Sequence, residues 1–515
     1  MKIERSKNAA RNIVFGVILK VYKLAIPFVM RTLMIYTLGM QYLGLNSLFT
    51  SVLSVLNLAE LGVGSAMVFS MYKPISEDDG DSICALMRLY KIYYRVIGLV
   101  ILVVGGAITP LIPKLINGTV PEGMNVYVLY LMNLAATVLT YWLFAYKNSL
   151  LTAHQRSDIN SKIQLATVTV QYGIQAVILV ATKNYYLYII VMLVTQAATN
   201  IVTALIVDRL YPQYKAKGTL PKEKVAVINR RVRDLFTSKV GAVIVDSVDT
   251  IVISAFLGLT VLAVYQNYFY ILTSIFGFVS IIFSSCTAGI GNSIITESEE
   301  KNYNDLKKFT LIISWLSGFC VCCLATLYQP FMELWVGKKN MLSYGYVIAF
   351  CIYFFVKEIN ALLNTYKDSA GIWHQDRFRP LATAGANLVM NLIMVQFWGL
   401  YGIILSTILS MLIVGMPWLF HNLFTTIFHK GLKQYLLKLT YYVIVVCLVC
   451  ALCIFCCRFE FSSLILTIAV RLIVTAVLSN IIFFTAFFKT AEFRQAAALV
   501  NSVTRGKIKI LKKFM

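Results

Sequence analysis

Charge is scarce in this sequence, and acid is scarcer than base. Charged residues make up 13% of the 515, with 23 Asp and Glu against 46 Lys and Arg, for a formal charge of +23. With 59% hydrophobic residues and a mean hydropathy of +0.75, a soluble fold could not hide the apolar surface, and the chain reads as a polytopic membrane protein. The bases flank apolar runs of about 20 residues instead of forming one patch, which suits a membrane surface and argues against nucleic acid as a partner. Histidine is nearly missing: His154, His374, His421 and His429 are scattered and make no ligand set, so neither a metal site nor a cofactor is expected. The eleven cysteines lack framework spacing, and most sit inside two apolar runs at 320–323 and 447–457, where thiols pack as small hydrophobes. No small-residue cleavage site follows the basic N-terminus, so that segment is expected to be retained.

What is present is a series of long apolar segments. Hydropathy predicts an all-α chain of about fourteen transmembrane helices. Six run from residue 12 to residue 207, six from 235 to 420, and two more at 441–457 and 464–488. The longest polar segment between them contains KAKGTLPKEK and RRVRD. The expected organisation is an N-terminal lobe at 1–208, a basic linker at 209–234, a C-terminal lobe at 235–428, and two added helices with a basic tail at 429–515. With the N-terminus inside, the inner segments hold about 35 of the 46 bases and the outer loops only Lys114, Lys183, Lys338, Lys339 and Arg458. That asymmetry places both termini in the cytoplasm.

The first helix, at 12–36, carries Lys20, Lys23 and Arg31 around Pro27. Lys20, Pro27 and Arg31 share one face, with Lys23 on its edge. A cation at the centre of a lipid-exposed helix costs about 2.5–3.5 kcal/mol, so such residues face a protein interior or water. An internal repeat bears on their partner. Leu38-Gly39 matches Leu257-Gly258, and the same 219-residue offset sets Lys20 on Lys239. The lobes are therefore expected to be parallel, pseudo-symmetric copies, with helix 7 (Lys239, Asp246, Asp249) opposite helix 1. Other charges predicted within spans are Arg95, Lys357, Arg471, Glu60 and Glu358. The acids either neutralise the cations or bind a coupling cation or proton. Asn360, Asn364, Asn387 and Asn391 are expected to make interhelical hydrogen bonds. Tyr265, Gln266, Asn267 and Tyr268 form a polar belt that suits sugar hydroxyls or an interfacial aromatic girdle.

YLGLNSLFTSVLSVLNLAELGVGSAMVFSMYKPI at 42–75, SVDTIVISAFLGLTVLAVYQNYFYI at 247–271 and GIGNSIITE at 289–297 resemble bacterial polysaccharide flippases of the multidrug/oligosaccharidyl-lipid/polysaccharide exporter superfamily. The resemblance implies a multi-pass protein of the bacterial cytoplasmic membrane with two six-helix lobes in a V, working by alternating access. It further implies a polyprenyl-pyrophosphate-linked oligosaccharide as substrate, with membrane lipid and other polysaccharide assembly proteins as partners. The resemblance points to Lys20, Lys23 and Arg31 of helix 1 for the pyrophosphate; with the other polar residues read within the spans, the candidate substrate set is Lys20, Lys23, Arg31, Lys239, Lys357, Arg471, Tyr265 and Asn267, and the candidate ion-coupling set is Glu60, Asp246, Asp249 and Glu358. In related lipid II flippases, cavity arginines in helices 1, 2 and 8 hold the pyrophosphate. Here helices 2 and 8 carry no base within their apolar spans, which argues against lipid II itself. A cation-coupled drug exporter of the same superfamily would want an acidic or apolar pocket. A membrane polysaccharide polymerase would need catalytic groups on an outer loop, and these loops are short. No enzymatic activity is expected.

Overall fold

The computed structural model describes residues 5–429 and 431–503, and among them there are helices and no strands. The chain divides into two compact units, Met1–Gln266 and Asn267–Met515. The first contains α1 (Arg5–Thr37), α2 (Met40–Leu56), α3 (Val63–Ser76), α4 (Gly80–Ile108), α5 (Val126–Trp142), α6 (Asn148–Ala153), α7 (Ser157–Ala181), α8 (Tyr185–Leu210) and α9 (Lys222–Leu257). The boundary falls inside α10 (Leu259–Thr296). The second unit continues with α11 (Glu299–Val336), α12 (Tyr344–Ser369), α13 (Trp373–Asp376), α14 (Arg379–Ser410), α15 (Met416–Thr426), α16 (Leu432–Cys456), α17 (Leu464–Phe487) and α18 (Ala491–Val503).

Nine helical segments among the described residues are long and apolar enough to cross a membrane, or ten if α5 and α6, bent by 47°, make one span. One of the nine, Trp373–Thr426, is 54 residues long and reverses at Gly399, where φ is 54°. Asn387 donates to Thr407 across the reversal at 3.0 Å, and Ser406 donates to Asn391. The segment is thus a hairpin of two antiparallel arms. Three other expected spans fall outside the nine. α1 and α9 carry the charges already noted, and the helix expected at 42–72 is cut into α2 and α3 by a tight turn at Asn57–Glu60.

The cut follows from packing. α9 lies against α2 and α3, and at Gly62 it comes so close that an added Cβ would stand 2.7 Å from Leu235 Cβ and 3.0 Å from Val232 O. Gly62 also has φ +89°. The expected repeat has a counterpart in the backbone: Gly39 and Gly258, 219 residues apart, turn with φ of 105° and 87° and ψ of 172° in both. Gly118 and Gly337, at the same offset, have φ of 89° and 76°. Side chains other than glycine rarely adopt this conformation.

A second matched pair lies just beyond the spans. YKNSLLTAHQ at 146–155 and YKDSAGIWHQ at 366–375 share Tyr, Lys, Ser, His and Gln in register. In the first copy Lys147 Nζ pairs with Asp208 at 2.5 Å. In the second Lys367 reaches Asp368 at 2.8 Å and Asp376 at 3.5 Å. Asp376 also accepts from Arg379 at 2.6 and 2.8 Å and from Asn422 at 3.0 Å, and Arg379 donates to Asn364 at 2.7 Å. Lys367, Asp376, Arg379 and Asn422 are all buried, so each charge depends on its partners. His154 is buried against Tyr211, with ring centroids 4.4 Å apart, and its Nδ1 lies 2.9 Å from Leu150 O. Burial holds its pKa below the ordinary value.

Two outcomes are expected. Gly62→Ala meets both the clash with α9 and an unfavourable φ, and should cost on the order of 2 kcal/mol, read as a lower melting temperature in detergent. Because folded His154 resists protonation, the unfolded chain binds the extra proton as pH falls below about 6.5. Stability should therefore decline from neutral pH toward pH 5.5, and His154→Phe, which keeps the ring stack, should flatten that decline in thermal melts.

Candidate functional site

α1 packs along its length against α7, and the interface is polar. Asn12 donates to Gln155 O at 3.0 Å and accepts from Asp158 N at 2.7 Å. Asp158 is fully buried and is held by Arg156 at 3.0 Å and Lys162 at 3.4 Å. Farther along both helices, Lys23 Nζ donates to Gln164 Oε1 at 2.6 Å. The amides continue up α7: Gln171 donates to Gln175 at 3.4 Å, and buried Gln175 donates to Tyr188 O at 2.9 Å. Gln164 therefore meets the first helix while Gln171 and Gln175 carry the amides on toward α8, an arrangement that sequence reasoning missed. Their spacing of seven and four residues was the available signal.

Arg31 lies farther along α1, half-buried, with Nη1 3.4 Å from Gln266 O. Gln266 Nε2 in turn donates to Thr250 Oγ1 at 2.9 Å. Arg31, Gln266 and Thr250 thus connect α1, α10 and α9, with Asp249 beside Thr250 in the chain and buried. Asp246 is exposed and Lys20 half-buried. The side chain of Lys239 lies outside the described residues. The rest of the polar belt packs inward: Tyr265, Asn267 and Tyr268 are buried, and Tyr268 OH donates to Gln329 at 2.9 Å. Tyr265 and Asn267 are therefore interior groups in this structure, and Gln266 is the half-exposed member.

Glu60 sits in the turn between α2 and α3, where it accepts from Tyr94 OH at 3.1 Å. Tyr90 OH donates to Tyr94 OH at 2.7 Å. They border a cavity of about 570 Å³, lined also by Phe69, Tyr72, Asn148 and Ser149. A carboxylate among four aromatic rings in a chamber this size could hold a proton or a cation.

The second unit holds the remaining candidates. Lys357 donates to Tyr353 OH at 2.8 Å, with the rings of Phe276, Tyr353 and Phe269 at 5.0, 5.2 and 5.9 Å. Glu358, the next residue, is fully buried, and neither carboxyl oxygen has a hydrogen-bond partner among the described residues. An unsatisfied buried carboxyl is costly enough to need a reason. Arg471 turns out to be a clasp. Nη2 and Nε donate to Phe459 O at 2.7 and 3.2 Å, and Nη1 to Thr326 O at 3.4 Å. It pins the loop between α16 and α17 to α11, which occupies the guanidinium with scaffold carbonyls.

No protein-family profile matches the chain, and no curated protein matches it. Solved structures do. A lipid II flippase, MurJ, in its inward closed conformation superposes with a TM-score of 0.67 over 93% of this chain and 100% of that one, at 15% identity. A multidrug resistance MATE family transporter of the MOP superfamily, inward-facing, gives 0.57 over 82% and 95%, at 14% identity. A MOP superfamily transporter from Pyrococcus furiosus, described as having a binding pocket of reversed polarity, gives 0.53 over 83% and 96%, at 12% identity. The chain shares the fold of these transporters.

Proposed function

We propose that the protein is a transporter that moves a polyprenyl-pyrophosphate-linked oligosaccharide from the inner to the outer leaflet of the bacterial cytoplasmic membrane by alternating access, in the assembly of a capsule or other exopolysaccharide. The observation that carries this reading is Lys23. It is exposed, lies within the apolar run of α1, and donates to a neutral amide, Gln164. A cationic side chain so placed must meet water or an anion. Lys20 and Arg31 extend the positive stripe along the same helix. A pyrophosphate headgroup matches that stripe, while its polyprenyl tail gains about 0.8 kcal/mol for each CH₂ kept in lipid. The solved lipid II flippase supports the reading through its fold. In this scheme the lobes are 1–208 and 235–428, Lys357 is a further candidate cation on its own lobe, and Glu358 and Glu60 exchange the coupling ion, with Asp246 and Asp249 as further carboxylates.

A second reading has its own observation. The Glu60 chamber, with Phe69, Tyr72, Tyr90 and Tyr94, suits an organic cation, as a multidrug exporter requires.

Arg31→Ala, or Lys20→Gln with Lys23→Gln, should lower surface polysaccharide roughly tenfold or more, the scale of losing one charge-assisted hydrogen bond, while the protein stays monodisperse. Lipid extracts should show the lipid-linked oligosaccharide retained in the inner leaflet. Normal polysaccharide in these variants, with efflux of a cationic dye that Glu60→Gln abolishes, would favour the second reading. Glu358→Gln should remove the pH or sodium dependence of transport in proteoliposomes; unchanged dependence on both would end its coupling role.

A further inference from the structure

The charged ends of α3, α4 and α9 enclose a cavity of about 400 Å³ that no transport step above uses. Its wall holds Lys73, Lys224 and Arg231 with two carboxylates, Glu77 and Asp79. The carboxylates are engaged: Glu77 lies 3.7 Å from Lys73, and Asp79 accepts from Ser82 N at 3.0 Å as the cap of α4. Lys224 and Arg231 make no hydrogen bond or ion pair among the described residues. The Arg231 guanidinium lies over the Phe69 ring, 4.6 Å from its centroid, which leaves its donors to point elsewhere. The first turn of α9, at Lys222, also opens on this cavity through Leu220 and Lys224. Around it α9 is strongly basic, with Lys222, Arg230 and Arg233. The rim is apolar and open, since Phe69 is 58% and Val227 52% exposed.

Unpaired cations at the mouth of a polar cavity, edged by exposed apolar side chains where helices leave the bilayer, match a phosphodiester with acyl chains alongside. We infer that this cavity binds the headgroup of an anionic glycerophospholipid of the cytoplasmic leaflet, with Lys224 and Arg231 on the phosphate and Phe69 and Val227 against the first methylenes. The site is separate from the α1 stripe, and it carries an acidic-lipid requirement whatever the transported substrate is. The facing carboxylates, Glu77 and Asp79, leave the wall with a net charge of +1, so a singly charged headgroup such as phosphatidylglycerol fits better than a pyrophosphate.

The test is native mass spectrometry of the full-length protein released from nanodiscs that contain phosphatidylglycerol and phosphatidylethanolamine. The wild type should retain phosphatidylglycerol preferentially. Each cation near an anionic lipid contributes roughly fivefold, so Lys224→Gln with Arg231→Gln should weaken retention about twenty-five-fold. A charge-matched control, Lys433→Gln with Arg494→Gln, should leave it unchanged. Equal retention of the two lipids, or equal losses in variant and control, would overturn the site. So would displacement of the bound lipid by soluble inorganic pyrophosphate, which would mark it as a pyrophosphate site instead.

Discussion

Inside a bilayer no water is at hand to satisfy a stray polar group, so each one must find a partner in the protein or give up its place in the span. That requirement accounts for much of this structure. The hairpin at Gly399 is held by amide and hydroxyl groups, Asn387 to Thr407 and Ser406 to Asn391, placed where two apolar arms alone would have no register. The α1–α7 pair is likewise a polar seam, from Asn12 and Asp158 at one end to Lys23 and Gln164 farther in. Outside the apolar runs the same accounting continues with whole charges, as in the buried Lys367–Asp376–Arg379 group.

Because partners decide the outcome, similar residues end in different roles. Arg471 faces the Phe459 and Thr326 carbonyls and is spent on holding a loop. Lys357 rests among aromatic rings, a setting that stabilises an ammonium without neutralising it. Lys23 meets an amide and is otherwise exposed. Glu358 meets no hydrogen-bonding group among the described residues. An arginine that clasps two backbone carbonyls, with Glu460 at 3.7 Å, can be read as scaffold, whereas a buried carboxyl with no hydrogen-bond partner among the described residues keeps a cost that only a changing environment or a transient ligand would justify.

Much of the fold was legible because apolar length and basic flanks are local signals. The helices, the hairpin arms and the repeat at Gly39 and Gly258 all lie in the sequence as runs or offsets. The interhelical role of Asn387 and Asn391 was legible for the same reason, since amides within apolar helices have few other options. What stayed hidden was which helix meets which. The cut between α2 and α3 depends on α9 pressing on Gly62, nearly 175 residues away in the chain. The Gln164–Gln175 series was hidden by attention to charges, and the matched Tyr-Lys and His-Gln pairs at 146–155 and 366–375 by attention to spans. Tyr265 and Asn267 looked like an open belt because their polarity was visible and their burial was not.

The distribution of charge also bears on direction of travel. Lys23 and Lys357 lie on apolar helices without a carboxylate as hydrogen-bond acceptor in the contacts described, while Glu358, buried with no hydrogen-bond partner among the described residues, is adjacent to one of them. A headgroup bearing negative charge would be drawn to the positive inner face and then favoured outward by a potential that is negative inside. Its release requires that the cations be satisfied by something else when it leaves. Neutral acceptors such as Gln164 and the Tyr353 hydroxyl already supply that alternative. Under the proposed transport each would be a weaker partner than a phosphate and would give way to it. A permanent ion pair at Lys23 would have stabilised the resting protein more and bound the headgroup less.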